Sequence, residues 1–228
     1  MPRSISRLAA PALAVLLAGC ATPYPSAPAP MASVAAPRLE GNERWVYEQI
    51  NPYNGLHVRT LIDTVEAGPH GYSIVRRSDR PGDPLEIQQL SRPWSIAAQS
   101  SGAERRRYTP PLTEIPFPIA PGSHWSETLT SVDEHGEIRR QQTWGRALDW
   151  ERVTTPAGEF VALRIERQSN LGDHDVFWHD TYTYETLWYA PAVERWVRRD
   201  WRSRRQEVGL DPRIDIDARL WQLISYRK

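Results

Sequence analysis

Asp173-His174-Asp175, followed by His179-Asp180, places five carboxylate or imidazole donors within eight residues. Those donor types hold zinc and similar divalent ions. A strand would point His179 and Asp180 to opposite faces, and Gly172-Asp173 reads as a hairpin tip. Solvated turn residues are therefore expected there, and no metal is assigned. Ser123-His124 joins a hydroxyl to a base, but no G-x-S-x-G elbow presents the serine as a nucleophile. Asp215 and Asp217 share one strand face, as a general acid and base would, yet Asp-Ile-Asp equally describes a strand showing polar residues to water. Arg105-Arg106-Arg107 and the arginines from Arg195 to Arg205 could meet phosphates or anionic glycans, with solvated sheet faces the simpler account. The expectation is a protein that is not an enzyme and uses no cofactor. Cys20 is the single cysteine of 228 residues, so it forms no internal disulfide and no thiolate cage.

Cys20 has another chemistry available. Arg3 and Arg7 precede an apolar run from Leu8 to Ala18, which is shorter than the roughly 20 residues that span a bilayer core. The run ends in Leu17-Ala18-Gly19-Cys20, which resembles the lipobox of bacterial lipoproteins. That resemblance implies cleavage after Gly19, diacylglycerol on Cys20 and acylation of the new amino terminus. Two or more chains anchor a protein stably where one does not. Ala21 lacks the aspartate that marks inner-membrane retention in Gram-negative lipoproteins, so the implied location is the outer membrane, facing the periplasm. Residues 1–19 thus read as signal peptide and 20–38 as lipidated cysteine and tether. The tether is rich in Ala and Pro and uncharged from Ala21 to Pro37.

All ten tryptophans follow the tether, and residues 39–228 suit one domain. Equal numbers of Lys+Arg and Asp+Glu, 28 each, argue against nucleic-acid binding, which needs excess positive charge. Period-two alternation marks strands. Val161, Leu163 and Ile165 face one way and Arg164 and Glu166 the other. Trp178, Tyr182, Tyr184 and Trp188 share one face of a strand from Asp175 to Tyr189. Further strands are expected at Arg44 to Ile50, Leu56 to Glu66, Tyr72 to Arg77, Pro84 to Leu90, Trp94 to Gln99, Ser123 to Val132, Glu137 to Val153 with a bend at Gly145, and Arg219 to Tyr226. Turns such as Asn54-Gly55, Pro81-Gly82 and His135-Gly136 separate them at meander intervals. The expected fold is all-β, a curved antiparallel meander forming an open or closed barrel, whose concavity would take a ligand.

Residues 191–205 admit two readings. Val193, Trp196, Val197 and Trp201 recur at near-helical spacing, with Arg195, Arg198, Arg199, Arg202 and Arg205 forming a basic face suited to an anionic membrane or a partner. The same residues also fit a strand.

Pro121-Gly122-Ser123-His124-Trp125, Val153-Thr154-Thr155-Pro156-Ala157-Gly158-Glu159-Phe160 and Trp188-Tyr189-Ala190-Pro191-Ala192-Val193 form an ordered series. Over residues 110–205 it resembles the uncharacterised DUF3108-like or TapB-like group of bacterial envelope proteins. The resemblance implies a curved antiparallel sheet and no activity. Glu194-Arg195 departs from it where a glycine is expected. The resulting expectation is a periplasm-facing lipoprotein whose sheet binds a hydrophobic or amphiphilic envelope ligand through Trp178, Tyr182, Tyr184 and Trp188. The alternative is a scaffold that docks on another envelope protein.

Overall fold

The computed structural model describes residues 24–69, 71–172, 179–207 and 214–228. Among these there are twelve strands and no helix. They are β1 (Arg44–Ile50), β2 (His57–Gly68), β3 (Gly71–Ser78), β4 (Glu86–Arg92), β5 (Ser95–Ser101) and β6 (Glu104–Thr113), then β7 (His124–Asp133), β8 (Ile138–Thr155), β9 (Gly158–Asn170), β10 (His179–Ala190), β11 (Arg195–Glu207) and β12 (Ile214–Arg227). Every strand pairs antiparallel with its neighbours in sequence, and β1 also pairs with β12, closing the barrel. Of the two sheet forms expected, the closed one is observed. Closure satisfies the backbone groups that an open sheet would leave at its edges.

Residues 191–205 form a turn and then β11, so the strand reading holds and the amphipathic helix does not. The turn between Ala190 and Arg195 carries Glu194 at φ +60°, the left-handed conformation for which a glycine was expected. β6 was not expected. Its three consecutive arginines and Pro110-Pro111 hide the alternation, and its pairing with β5 and β7 comes from the barrel rather than from local propensity.

Twelve strands enclose more space than the small side chains of an eight-stranded barrel would fill. Large residues occupy one half of the lumen: Trp45, Trp94, Trp196, Tyr47 and Arg195 are all fully buried. Trp196 stacks on Tyr47 with centroids 4.0 Å apart, and Trp45 meets Trp94 edge-on at 5.9 Å. The connection from β6 to β7 closes that end, with Ile115 and Ile119 buried. This demand for volume accounts for a core built on tryptophan with only three phenylalanines.

Two ion networks cross this interior. Asp63 accepts from Arg76 Nε at 2.7 Å and from Arg195 Nη2 at 2.6 Å. Glu185 pairs with Arg199, and with Arg167 at 3.0 Å. Burial alone would raise the pKa of both carboxyls. The adjacent guanidinium charges outweigh it, so both lie below the usual carboxylate range.

Residues 24–37, read from composition as spacer, lie along the barrel instead. Pro25 and Ala27 exchange backbone hydrogen bonds with Arg152 and Trp150, and Val34 pairs with Ile119. Tyr24 packs edge-on against Trp188 at 5.6 Å. A register shift between Ala147 and Trp150 accompanies the run of β8 past the end of β7, and the free edge there takes the proline-rich strap. Proline suits this position because an edge partner needs few donors.

Candidate functional site

Alternation along β8, β9, β10 and β11 turns Arg146, Glu166, Tyr184 and Arg202 outward while Ile165, Leu187 and Arg199 face the lumen. The outward positions therefore carry charge and amide groups, unlike the apolar belt of a membrane-spanning barrel.

Register brings these positions into two parallel rows. One row runs Ser126, Trp144, Gln168, Tyr184, Arg202, each residue directly opposite the next across β7 to β11. The adjacent row runs His124, Arg146, Glu166, Thr186, Asp200. Together they line an open groove of about 1020 Å³ on the outer wall. A Cβ on Gly145 would stand 2.1 Å from the Trp125 ring, so the ring lies against the bare backbone on the inner side. Gly145, where a bend was expected, pairs in register with Trp125 and Arg167 and lines the groove; the irregularity in β8 falls between Ala147 and Trp150 instead.

Trp144 is 37% exposed, an unusual state for a tryptophan in a protein that buries most of the others. Tyr184 lies in the same row, with the Arg204 guanidinium 5.2 Å from its ring centroid. The charges in the groove are internally matched. Arg146 Nε donates to Glu166 at 2.9 Å, and Arg202 lies 3.7 Å from Asp200. Burial tends to raise the Glu166 pKa, but hydrogen bonding from Arg146 and the charge of Arg164 hold it below the usual range.

Of the residues singled out from sequence, Tyr184 and Arg202 meet in register in this groove. Tyr182 shares the outward face one row away, opposite Asn170 and Arg204. Trp188 shares that face too, but it is buried beneath Tyr24 and donates its indole N–H to Glu151 at 2.7 Å. Of the five arginines expected on one basic face, Arg195, Arg198, Arg199 and Arg202 divide between the two faces, as strand alternation requires. Arg195 and Arg199 point into the lumen, Arg195 with its guanidinium 4.9 Å from the Trp45 ring and 4.6 Å from Trp94. Neither is available to a membrane or partner. Arg198 faces out, its guanidinium 5.5 Å from the Tyr24 ring, and Arg202 is in the groove.

Cys20, Trp178, Asp173, His174 and Asp175 lie outside the described residues. Asn170 donates to Asp180 at 3.3 Å, and Asp217 pairs with Arg219. Ser123 Oγ accepts from the Ala120 amide in a turn. Trp144, Gln168, Arg146 and Glu166 were not singled out from sequence. The signal for Trp144 was present as a bulky residue on the polar face of an alternating strand, but its neighbours are defined by cross-strand register.

The described residues form a closed twelve-stranded meander barrel with an open groove on its outer wall. No protein-family model matches the chain, and no curated protein does. Among solved structures it is similar to a candidate lipoprotein from Parabacteroides distasonis ATCC 8503, 14% identical with a TM-score of 0.43, covering 85% of this chain and 97% of that one. It is also similar to a candidate exported protein with a YmcC-like fold from Bacteroides fragilis NCTC 9343, 14% identical with a TM-score of 0.47, covering 87% and 100%. Likeness at this level assigns neither ligand nor activity.

Proposed function

We propose that the protein is a non-catalytic envelope lipoprotein, anchored through Cys20 in the outer membrane and facing the periplasm, that binds an amphiphilic envelope molecule in its outer-wall groove. The observation that carries the reading is the exposed Trp144 ring in register with Tyr184, in a cleft whose ionic groups are paired with one another. The scaffold alternative has less support, because a closed barrel offers no continuous free edge for a partner strand.

Anchoring also places the groove. Four residue steps from Cys20 to Tyr24 reach at most about 14 Å. Tyr24 is docked on Trp188, which is two residues along β10 from Thr186 in the groove. A lipid on Cys20 therefore holds this face of the barrel close to the bilayer.

The test has two parts. Expression of the full chain in a Gram-negative host with an alkyne-tagged palmitate should label the wild type and leave Cys20→Ala unlabelled. The purified mature protein should then change its tryptophan fluorescence on titration with fractionated envelope extract, and Trp144→Phe should lose that change. An unlabelled wild type refutes the anchor; a change that persists in Trp144→Phe refutes the groove.

A further inference from the structure

We infer that the groove is a subsite for an uncharged oligosaccharide chain, the saccharide portion of a glycan or glycolipid. This deepens the groove-binding reading and rests on it.

Three features of the groove point to the same ligand chemistry. Trp144 on β8 and Tyr184 on β10 lie two strands apart in one row. At a strand spacing of about 4.8 Å their backbones are roughly 10 Å apart. A pyranose ring spans about one strand spacing, so rings at this separation suit alternate sugars of one extended chain. Aromatic faces carry negative π density and attract the polarised C–H face of a sugar, and indole and phenol combine an apolar body with a polar tip.

Between and beside the rings stand planar hydrogen-bonding groups. Gln168 occupies the position between Trp144 and Tyr184, directly opposite both. Its amide offers a donor pair and an acceptor, which match vicinal hydroxyls. The Arg146–Glu166 pair, with two guanidinium nitrogens within 2.9 Å of Glu166 Oε2, flanks it in the next row.

Charge then selects among polar ligands. Arg146 and Arg202 are matched by Glu166 and Asp200. In the floor, Arg167 is matched by Glu185. An anionic polymer or phospholipid headgroup would meet as many repelling carboxylates as attracting guanidiniums. An acyl chain would meet charged and amide groups over most of the cleft, which it cannot satisfy. A neutral polyhydroxylated chain can use both signs of fixed dipole.

The experiment is calorimetric titration of the full mature lipoprotein in neutral detergent. The probes are neutral gluco- and manno-oligosaccharides of graded length, an acidic uronate oligosaccharide, and vesicles of phosphatidylglycerol. The inference expects binding of a neutral series that strengthens with length until both rings are covered. Trp144→Ala and Tyr184→Ala should each weaken it roughly tenfold, in line with the worth of one aromatic contact. Gln168→Ala, which removes no ring, should weaken it several-fold and covers the case in which a ring variant fails to fold. Binding of the acidic oligosaccharide or the vesicles alone, lost in Trp144→Ala, would overturn the saccharide assignment and leave the groove standing. Neutral-oligosaccharide binding that survives all three variants overturns the site. No binding of any probe overturns the saccharide assignment, and the envelope-extract titration then decides separately whether the groove binds at all.

Discussion

Arg195 and Asp63, 132 residues apart in sequence, meet inside the barrel with Nη2 2.6 Å from Oδ2. Arg76 completes the triad from β3, and three tryptophan rings surround the guanidinium of Arg195. Asp63→Asn leaves buried Arg195 without its counter-charge and Arg76 with only Glu86, 3.6 Å away. It should lower stability by about 3–5 kcal/mol, measured by urea denaturation at neutral pH. An effect under about 1 kcal/mol would show that water reaches the triad.

The same carboxylate sets an acid limit. Asp63 and Glu185 both have folded pKa values below their unfolded ones. The stability they contribute is fully present above the unfolded values of about 3.9 and 4.3 and is lost as pH falls through the depressed folded values. The urea midpoint should therefore hold from neutrality to about pH 5 and fall below it. In Asp63→Asn the fall should be shallower, and identical slopes would assign the acid loss to other groups.

Gly145 has no room for a side chain beside Trp125. Gly145→Ala should cost about 1–3 kcal/mol through overpacking, and adding Trp125→Leu should return part of it. Additive losses in this double-mutant cycle would mean that the two positions do not touch.

Trp188 fastens the strap. Trp188→Phe removes the indole donor to buried Glu151 and should cost about 1–3 kcal/mol. Hydrogen exchange gives a sharper reading. The amide of Ala27, bonded to Trp150 O beside this contact, should exchange faster, while that of Val34, bonded to Ile119 O, stays protected. Unchanged exchange at Ala27 would show that Pro25 and Ala27 hold the strap without Trp188.

Glu194 adopts φ +60°, where an L-residue is strained by about 1–2 kcal/mol. Glu194→Gly should relieve that strain and raise stability by up to about 1 kcal/mol, reduced by the added freedom of glycine when unfolded. Glu194 also meets Lys228 at 3.0 Å on the surface, a contact worth little. A net loss in thermal denaturation would show that this ion pair matters more than the backbone.

The strands were legible because period-two alternation and turn residues are local signals. β1 was placed at its observed ends. β6 was not legible, since barrel pairing overrides its prolines and arginines. The strap was misread for a related reason. Alanine and proline describe a chain without its own hydrogen-bond ladder, and they say nothing about an edge on β8 that will accept it. The site was half legible: Tyr184 and Arg202 are conspicuous residue types, whereas Gln168, Arg146 and Glu166 look like any solvated face.

By itself, the sequence determined the all-β class and the meander order, because both are written in neighbouring residues. Whether the barrel closed, which arginines lay inside, and which residues of β7, β8, β9, β10 and β11 shared a row were decided by tertiary structure. Strand register joins residues tens of positions apart, and a one-residue slip turns every side chain to the opposite face.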